Sequence, residues 1–261
     1  MKKLLIKITV VVALLLVVGV IAAMFFLGSL MKKGVETVGP ALTKTTMTLD
    51  KASLSVFSGS GSLDGFSLGN PEGFKTPFAM KVGHTSLGVN PASIFGDKIH
   101  ITHVRVESPE ITFESQGLNV MANNLSKILD NVKAATGGDK PAEQKPEVKS
   151  EGASRKLQVD DFLISGARLR LSSTLMGGQD VPVILPDIHL SNLGQGPEGI
   201  TAADFTEKVL NEVTIASIKA AQKAATDAAR GLTDAVKDLG KGSNAVEKIS
   251  KGVGELFKKK Q

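Results

Sequence analysis

The sequence contains no cysteine, no tryptophan and no tyrosine. Without cysteine it has no disulfide, no thiol nucleophile, no cysteine-based metal site and no lipoprotein processing site. Phenylalanine supplies all 11 aromatic residues, which argues against an aromatic carbohydrate platform. Phe stacking on single-stranded nucleic acid is a use that an exported domain seldom needs. An excess of one charge is also largely missing from the body of the chain. The net charge is +5, but Lys2, Lys3, Lys7, Lys32 and Lys33 flank the first apolar run and Lys258 to Lys260 lie among the last positions. The middle is close to neutral, and no nucleic-acid partner is expected.

Catalytic constellations are missing as well. The four histidines are His84, His100, His103 and His189. On a regular strand His100 and His103 face opposite sides, so they do not chelate one metal unless a bulge re-aims them, and the histidines read as solvent-facing strand residues. Asp160-Asp161 and Asp64-Gly65 lie in no Asp-x-Asp-x-Asp-Gly calcium loop and read as turn chemistry. Gly59-Ser60-Gly61 lacks the Lys-Ser/Thr of a phosphate loop, and no serine sits in a Gly-x-Ser-x-Gly setting. The expectation is a non-enzyme with no catalytic residue, no cofactor and no metal.

What the chain does have is a long hydrophobic run. Ile8 to Leu27 is 20 residues in which Thr9 alone has a polar side chain. As a helix the run measures roughly 30 Å, the thickness of a bilayer's hydrocarbon core. A cleaved signal would have a shorter apolar core and small residues at its end. Here the end is Met24-Phe25-Phe26-Leu27, although Gly28-Ser29 could serve a peptidase. Residues 1–31 therefore read as a signal anchor, a transmembrane helix. Three lysines before the span and two after it favour a cytoplasmic N-terminus by the positive-inside rule. The body is then expected on the periplasmic side of a bacterial inner membrane.

The body divides by composition. Residues 45–133 read as a β-rich domain with a terminal helix. Ala52, Leu54 and Val56 alternate with polar residues, while Leu118, Met121, Leu125, Ile128, Leu129 and Val132 fall at helical spacing. Asn123 and Asn124 interrupt that spacing, so the helix can start on either side of them. Residues 134–154 hold two Pro, three Gly and seven charged residues and read as a disordered linker. Residues 155–195 read as more of the sheet. Residues 200–261 read as helical, with an Ala-rich helix to about Arg230 and then a Gly-divided amphipathic tail bearing Val246, Ile249, Val253, Leu256 and Phe257 on one face.

A unit recurs within the strands. Its copies are Leu63 to Pro71, Ile101 to Pro109, Val159 to Ala167 and, shorter, Leu185 to Asn192. Each has one apolar residue, two intervening residues, then apolar-x-apolar and a turn former. The two-residue gap would throw the first apolar residue onto the wrong face unless a bulge or corner corrects it. The pattern predicts a curved antiparallel meander in an α+β fold: an N-terminal transmembrane helix, a sheet able to form a groove, a covering helix and a C-terminal Ala-rich helical segment. The repeat positions Phe66, Leu68, Val104, Val106, Phe162 and Ile164 have two readings. As core they pack against helices; as a groove lining they contact acyl chains.

The phrase Ser62 to Phe74, the stretch Ile99 to Thr112 with the Gly117…Asn123-Asn124-Leu125 segment after it, and Leu193 to Ile200 before an Ala-rich helix resemble bacterial AsmA-like proteins in kind and order. The resemblance covers most of residues 45–215 and the anchor. It implies an inner-membrane-anchored periplasmic domain related to bridge-like lipid-transfer proteins, with a role in outer-membrane biogenesis, cell-envelope assembly or lipid transport. The implied partners are the inner membrane, phospholipid and other envelope proteins. The chain is short for this group. A dozen strands at about 4.8 Å each stack to roughly 60 Å, a cradle rather than a bridge. A membrane-tethered scaffold or assembly factor that binds a protein partner without moving lipid is the alternative.

Overall fold

The computed structural model describes residues 2–116, 119–137, 155–173 and 181–239. The segment 138–154, most of the expected linker, and the amphipathic tail at 246–257 lie outside them. The fold is α+β. Helix α1 (Lys2–Thr43) leads into β1 (Met47–Thr48), β2 (Lys51–Leu54), β3 (Ser60–Leu68) and β4 (Met80–Val89). A 3-10 turn at Pro91–Ser93 precedes β5 (Lys98–Glu107), β6 (Glu110–Gln116) and β7 (Asn119–Asn123). Then come α2 (Asn124–Thr136), β8 (Lys156–Ser165), β9 (Arg168–Ser173), β10 (Val181–Ile184), β11 (Ile188–Leu193) and α3 (Ala202–Leu239).

The eleven strands among the described residues join one open, curved sheet in the order β10-β9-β6-β4-β5-β8-β11, with β3 on the other side of β4 and β1 and β2 beyond it. The sheet is mixed, which corrects the expected antiparallel meander. Strand β8 runs parallel to β5, and β9 runs parallel to β6. Parallel neighbours need a crossover connection and not a tight turn, and the stretch between β7 and β8 contains α2.

Consecutive strands form long bent ribbons. Strands β5 and β6 both run antiparallel to β4, joined through Ser108-Pro109; β8 and β9 are joined through Gly166-Ala167, and β10 and β11 through Leu185 to Asp187. These joints lie opposite one another. Glu107 pairs with Ser165 and Glu110 with Arg168, while Leu185 N donates to Ala167 O. The line continues through Gly83 of β4 and Gly65 of β3, between the pairs Asp64–His84 and Phe66–Val82. The sheet is thus creased along one row. Gly65, Ser108 and Gly166 have positive φ there, at +66°, +47° and +63°.

A crease reverses which residues point inward. On β4, Met80 and Val82 are buried before it and Thr85, Leu87 and Val89 after it. Gly65→Ala puts a Cβ into a left-handed conformation and onto the Asp50 carboxylate. We expect it to lower stability by about 1–3 kcal/mol in urea titration. Ser108→Gly, on the same crease, is expected to be neutral or stabilising.

In two copies of the repeat the gap falls on the crease itself, at Asp64-Gly65 and Pro186-Asp187; in the other two it is a second interruption. Ile101 pairs with Val159, Val104 with Phe162 and Val106 with Ile164, so two copies of the repeat lie side by side in register. Thr102-His103 and Asp160-Asp161 fall between those pairs, opposite a register shift at Gly88/Val89. As a result Val159, Phe162 and Ile164 are all buried on one face. Asp160-Asp161 is therefore a mid-strand irregularity and not a turn. Asp64-Gly65 likewise lies inside β3.

The helices begin and end where local chemistry allows. Asn123 caps α2, its side chain accepting from Ser126 N at 2.8 Å, and Gly137 ends it in the left-handed conformation. Residues 134–136 thus belong to α2 and not to a linker. Thr201 and Asp204 cap α3 reciprocally, at 3.0 and 2.7 Å. Helix α3 runs past Arg230 and through Gly231 to Leu239. A single glycine costs a helix only about 1 kcal/mol, too little to end it.

Helix α1 continues past the apolar run and docks on the sheet. It runs antiparallel to β1 and β2. Glu36 Oε1 accepts from Leu49 N at 3.1 Å, Lys32 donates to Leu49 O, and Gly28 meets the Ala52 carbonyl so closely that a Cβ would overlap it. Asn131 of α2 donates to Thr43 O at 2.8 Å and fixes the other end. Residues 32–43 continue the helix without a break. Among the described residues no helix is long and apolar enough to cross a membrane. The side chains at 13, 16, 17 and 20–25, within the apolar run, lie outside that set.

Candidate functional site

The concave face of the creased sheet holds the six repeat positions that the sequence offered either as core or as groove lining. Leu68, Val106, Phe162 and Ile164 are buried there, and Phe66 and Val104 are half-buried against the same cluster. Helices α2 and α3 cover them. From α2 come Leu125, Ile128, Leu129 and Val132; from α3 come Leu210, Val213 and Ala221. Phe205 of α3 meets Phe162 edge-to-face, ring centroids 5.5 Å apart and planes at 82°. All six sequence-predicted positions come together, as core. At these positions the face is filled, and a trough of acyl-chain width is not left open there.

An open groove remains to one side. It lies between the edge formed by β10 and β11 and the outer side of α3, with a volume of about 590 Å³. Val183, Ile184, Ile188, Ile215 and Ala220 make its apolar floor; Asp187, Glu212, Lys219 and Lys223 stand at its rim. Ile184 is 79% exposed and Ile215 38%. Lys223 is held by Asp227 at 2.6 Å, one turn along α3. The size falls in the range of small-molecule sites, roughly 300–1,000 Å³. Sequence reasoning missed the groove, because it is made by the sheet edge and a helix that are brought together only in the fold.

The opposite, convex face carries charge pairs. His84 Nδ1 lies 2.6 Å from Asp64 Oδ1, His100 Nε2 lies 2.6 Å from Asp160 Oδ2, and His189 Nε2 lies 2.5 Å from Asp161 Oδ1. Arg105 also binds Asp161. The bond from His84 holds the Asp64 carboxyl below its ordinary value. Gln158 and then His100 do the same for Asp160, and His189 and then Arg105 for Asp161. Each pair joins neighbouring strands, β3 to β4 or β8 to β5 and β11. They are cross-strand clasps on an exposed face, where such pairs contribute modestly. Among the described residues, no three His, Cys, Asp or Glu side chains come together as a metal cluster.

Among the described residues, one carboxylate on that face is buried. Glu114 Oε1 accepts from Lys75 N at 2.8 Å; its Oε2 accepts from Lys75 N at 3.0 Å, Thr76 N at 2.8 Å and Thr76 Oγ1 at 2.7 Å. Beside it the fully buried Asn124 side chain donates to Asn70 Oδ1 and Thr112 O, at 2.7 and 2.8 Å, and accepts from Glu114 N at 2.9 Å. The network latches the 69–79 segment over β6. Burial alone would raise the Glu114 carboxyl; the bonds from Thr76 N, Lys75 N and the Thr76 hydroxyl outweigh it and hold the group below its ordinary value.

No family model, curated protein or solved structure matches this chain.

Proposed function

We propose that this chain is a membrane-anchored envelope protein of AsmA-like type, whose body sits on the periplasmic side of the inner membrane and acts as a scaffold or assembly factor for a protein partner. The observation that carries the reading is helix α1. A 20-residue apolar run and a segment docked along β1 and β2 belong to one continuous helix. An anchor of this construction sets the orientation of the body and not only its distance from the bilayer. The curved sheet and the in-register repeat support the likeness to the family. The reading includes no catalytic step.

Filling of the concave face by α2 and α3 argues against conduction of lipid along the sheet. The groove beside β10 and β11 favours a second, narrower reading, in which one phospholipid chain is held there during envelope biogenesis. The two readings separate cleanly. A photo-crosslinking residue at Ile215, in cells, is expected to capture one stoichiometric protein. Native mass spectrometry of the detergent-extracted full chain is expected to show no retained phospholipid. Retained phospholipid with uptake of a fluorescent lipid, and no protein adduct, would reject the scaffold reading in favour of the second.

A further inference from the structure

Helix α1 and the first strands supply a ruler. Descending α1 from Gly39 to Gly28, the partners change from Met47 to Ala52 and Ser53. That is about 17 Å of helix against about 18 Å of strand, so the two run nearly side by side. Along the same stretch, Leu27 and Met31 pack against the cluster of Leu54, Leu87, Val89 and Ile94. Leu27 is the last residue of the apolar run. The end of the sheet and the end of the run are therefore level.

Two loops project beyond that level. The 55–59 turn closes with Ser55 N donating to Ser60 O at 2.9 Å, after the last ladder pair Leu54–Gly61. The 90–97 loop lies against it, with Val89 N donating to Gly59 O at 2.7 Å. Each loop has a phenylalanine near its tip, Phe57 at 70% exposure and Phe95 at 77%. A tip two to three residues past Leu54 stands about 7–10 Å further along α1, beside the apolar run. Cations stand nearby. Arg155 donates to Ile94 O at 2.8 Å, and the next residue, Lys156, donates its backbone N–H to Asp97 O at 3.1 Å.

We propose that the end of the body formed by the 55–59 and 90–97 loops is seated in the bilayer that holds α1, with Phe57 and Phe95 entering the acyl region and Arg155 and Lys156 at the level of the phosphates. The inference rests on the anchor reading of α1. It explains two large apolar side chains that are exposed at one end of the sheet and have no cover from the body. It also makes the body a second membrane contact, which fixes its tilt. Burial of apolar rings together with basic residues is the usual basis of interfacial seating.

The absence of tryptophan and tyrosine makes the test clean. Phe57→Trp, Phe95→Trp, Phe26→Trp and Met121→Trp each introduce a single fluorophore. Phe26 is on the run and 68% exposed; Met121 is on β7 and 59% exposed. The full chain is reconstituted in phosphatidylethanolamine/phosphatidylglycerol vesicles, with and without acyl-chain bromination. Emission from the Phe57→Trp, Phe95→Trp and Phe26→Trp variants is expected to be blue-shifted and mostly lost in brominated vesicles, with Met121→Trp unquenched. Quenching at 26 with water-like, unquenched emission at 57 and 95 overturns the seating and leaves the anchor standing. Blue-shifted but unquenched emission at 57 and 95 also overturns it, and indicates a second copy of the chain on the tips. No quenching at 26 overturns the anchor reading and the seating together.

Discussion

Phe162→Ala is expected to lower the stability of the detergent-solubilised full chain by about 3–5 kcal/mol, read as a fall in the urea midpoint. Phe162 is 4% exposed and sits where three elements meet. It pairs with Val104 across a parallel ladder and with Leu190 across an antiparallel one, and Phe205 of α3 stands edge-on to its ring. Truncation removes the ring and leaves a cavity between sheet and helix that neither can collapse into. The ring pair itself accounts for about 0.5–1.5 kcal/mol, measurable in a double-mutant cycle with Phe205→Ala. The experiment also decides between the two sequence readings of this residue. A groove lining in contact with acyl chains would tolerate alanine with little change in the urea midpoint, and lipid retention would change instead. An unchanged midpoint would therefore overturn the packed concave face.

The common apolar face of the repeat was legible in the sequence because its signal is chemical and repeated. Apolar residues at 101, 104 and 106 and at 159, 162 and 164 carry the same two-residue gap, and that gap by itself requires a bulge. The direction of neighbouring strands was not legible. Alternation reports which face a residue takes, and nothing in it distinguishes a parallel neighbour from an antiparallel one. Asp160-Asp161 misled for a related reason. Two adjacent aspartates read as a turn, whereas on β8 they sit at a bulge between two strands, Asp160 bonded to His100 of β5 and Asp161 to Arg105 of β5 and His189 of β11. The partners are 56, 60 and 28 residues away, too far for local spacing to register. The reach of α1 was hidden by its own composition. Once the apolar run ends, residues 28–43 hold three glycines and a proline, and only the fit of Gly28 and Gly39 against β2 and β1 explains why small residues belong there.

Glu114 had no sequence signal at all, and its replacement is expected to rank with Phe162 in effect. A lone glutamate between Phe113 and Ser115 reads as the solvent face of a strand; here that face is roofed by the 69–79 segment. Glu114→Ala leaves Lys75 N, Thr76 N and the Thr76 hydroxyl without their common acceptor, at a cost of about 2–4 kcal/mol. Protease cleavage within 70–78 is expected to rise in parallel, since this carboxylate is what holds the segment down. The pH dependence follows in sign from the depressed folded value. The unfolded carboxyl, at its ordinary value, binds a proton more tightly than the folded one. The stabilisation is therefore complete above the unfolded value and is lost as pH falls through the folded one. Glu114→Gln keeps the size and removes the charge. Its deficit against the natural chain is expected to be full above the ordinary carboxyl value and to shrink as pH falls below that value and through the depressed folded one. Asp64, Asp160 and Asp161, whose carboxyls are also held below their ordinary values, are common to both proteins and cancel, so the difference between the two urea midpoints isolates Glu114. A deficit that stays constant as pH falls from neutral through the acid range would mean that shape, and not charge, holds the latch.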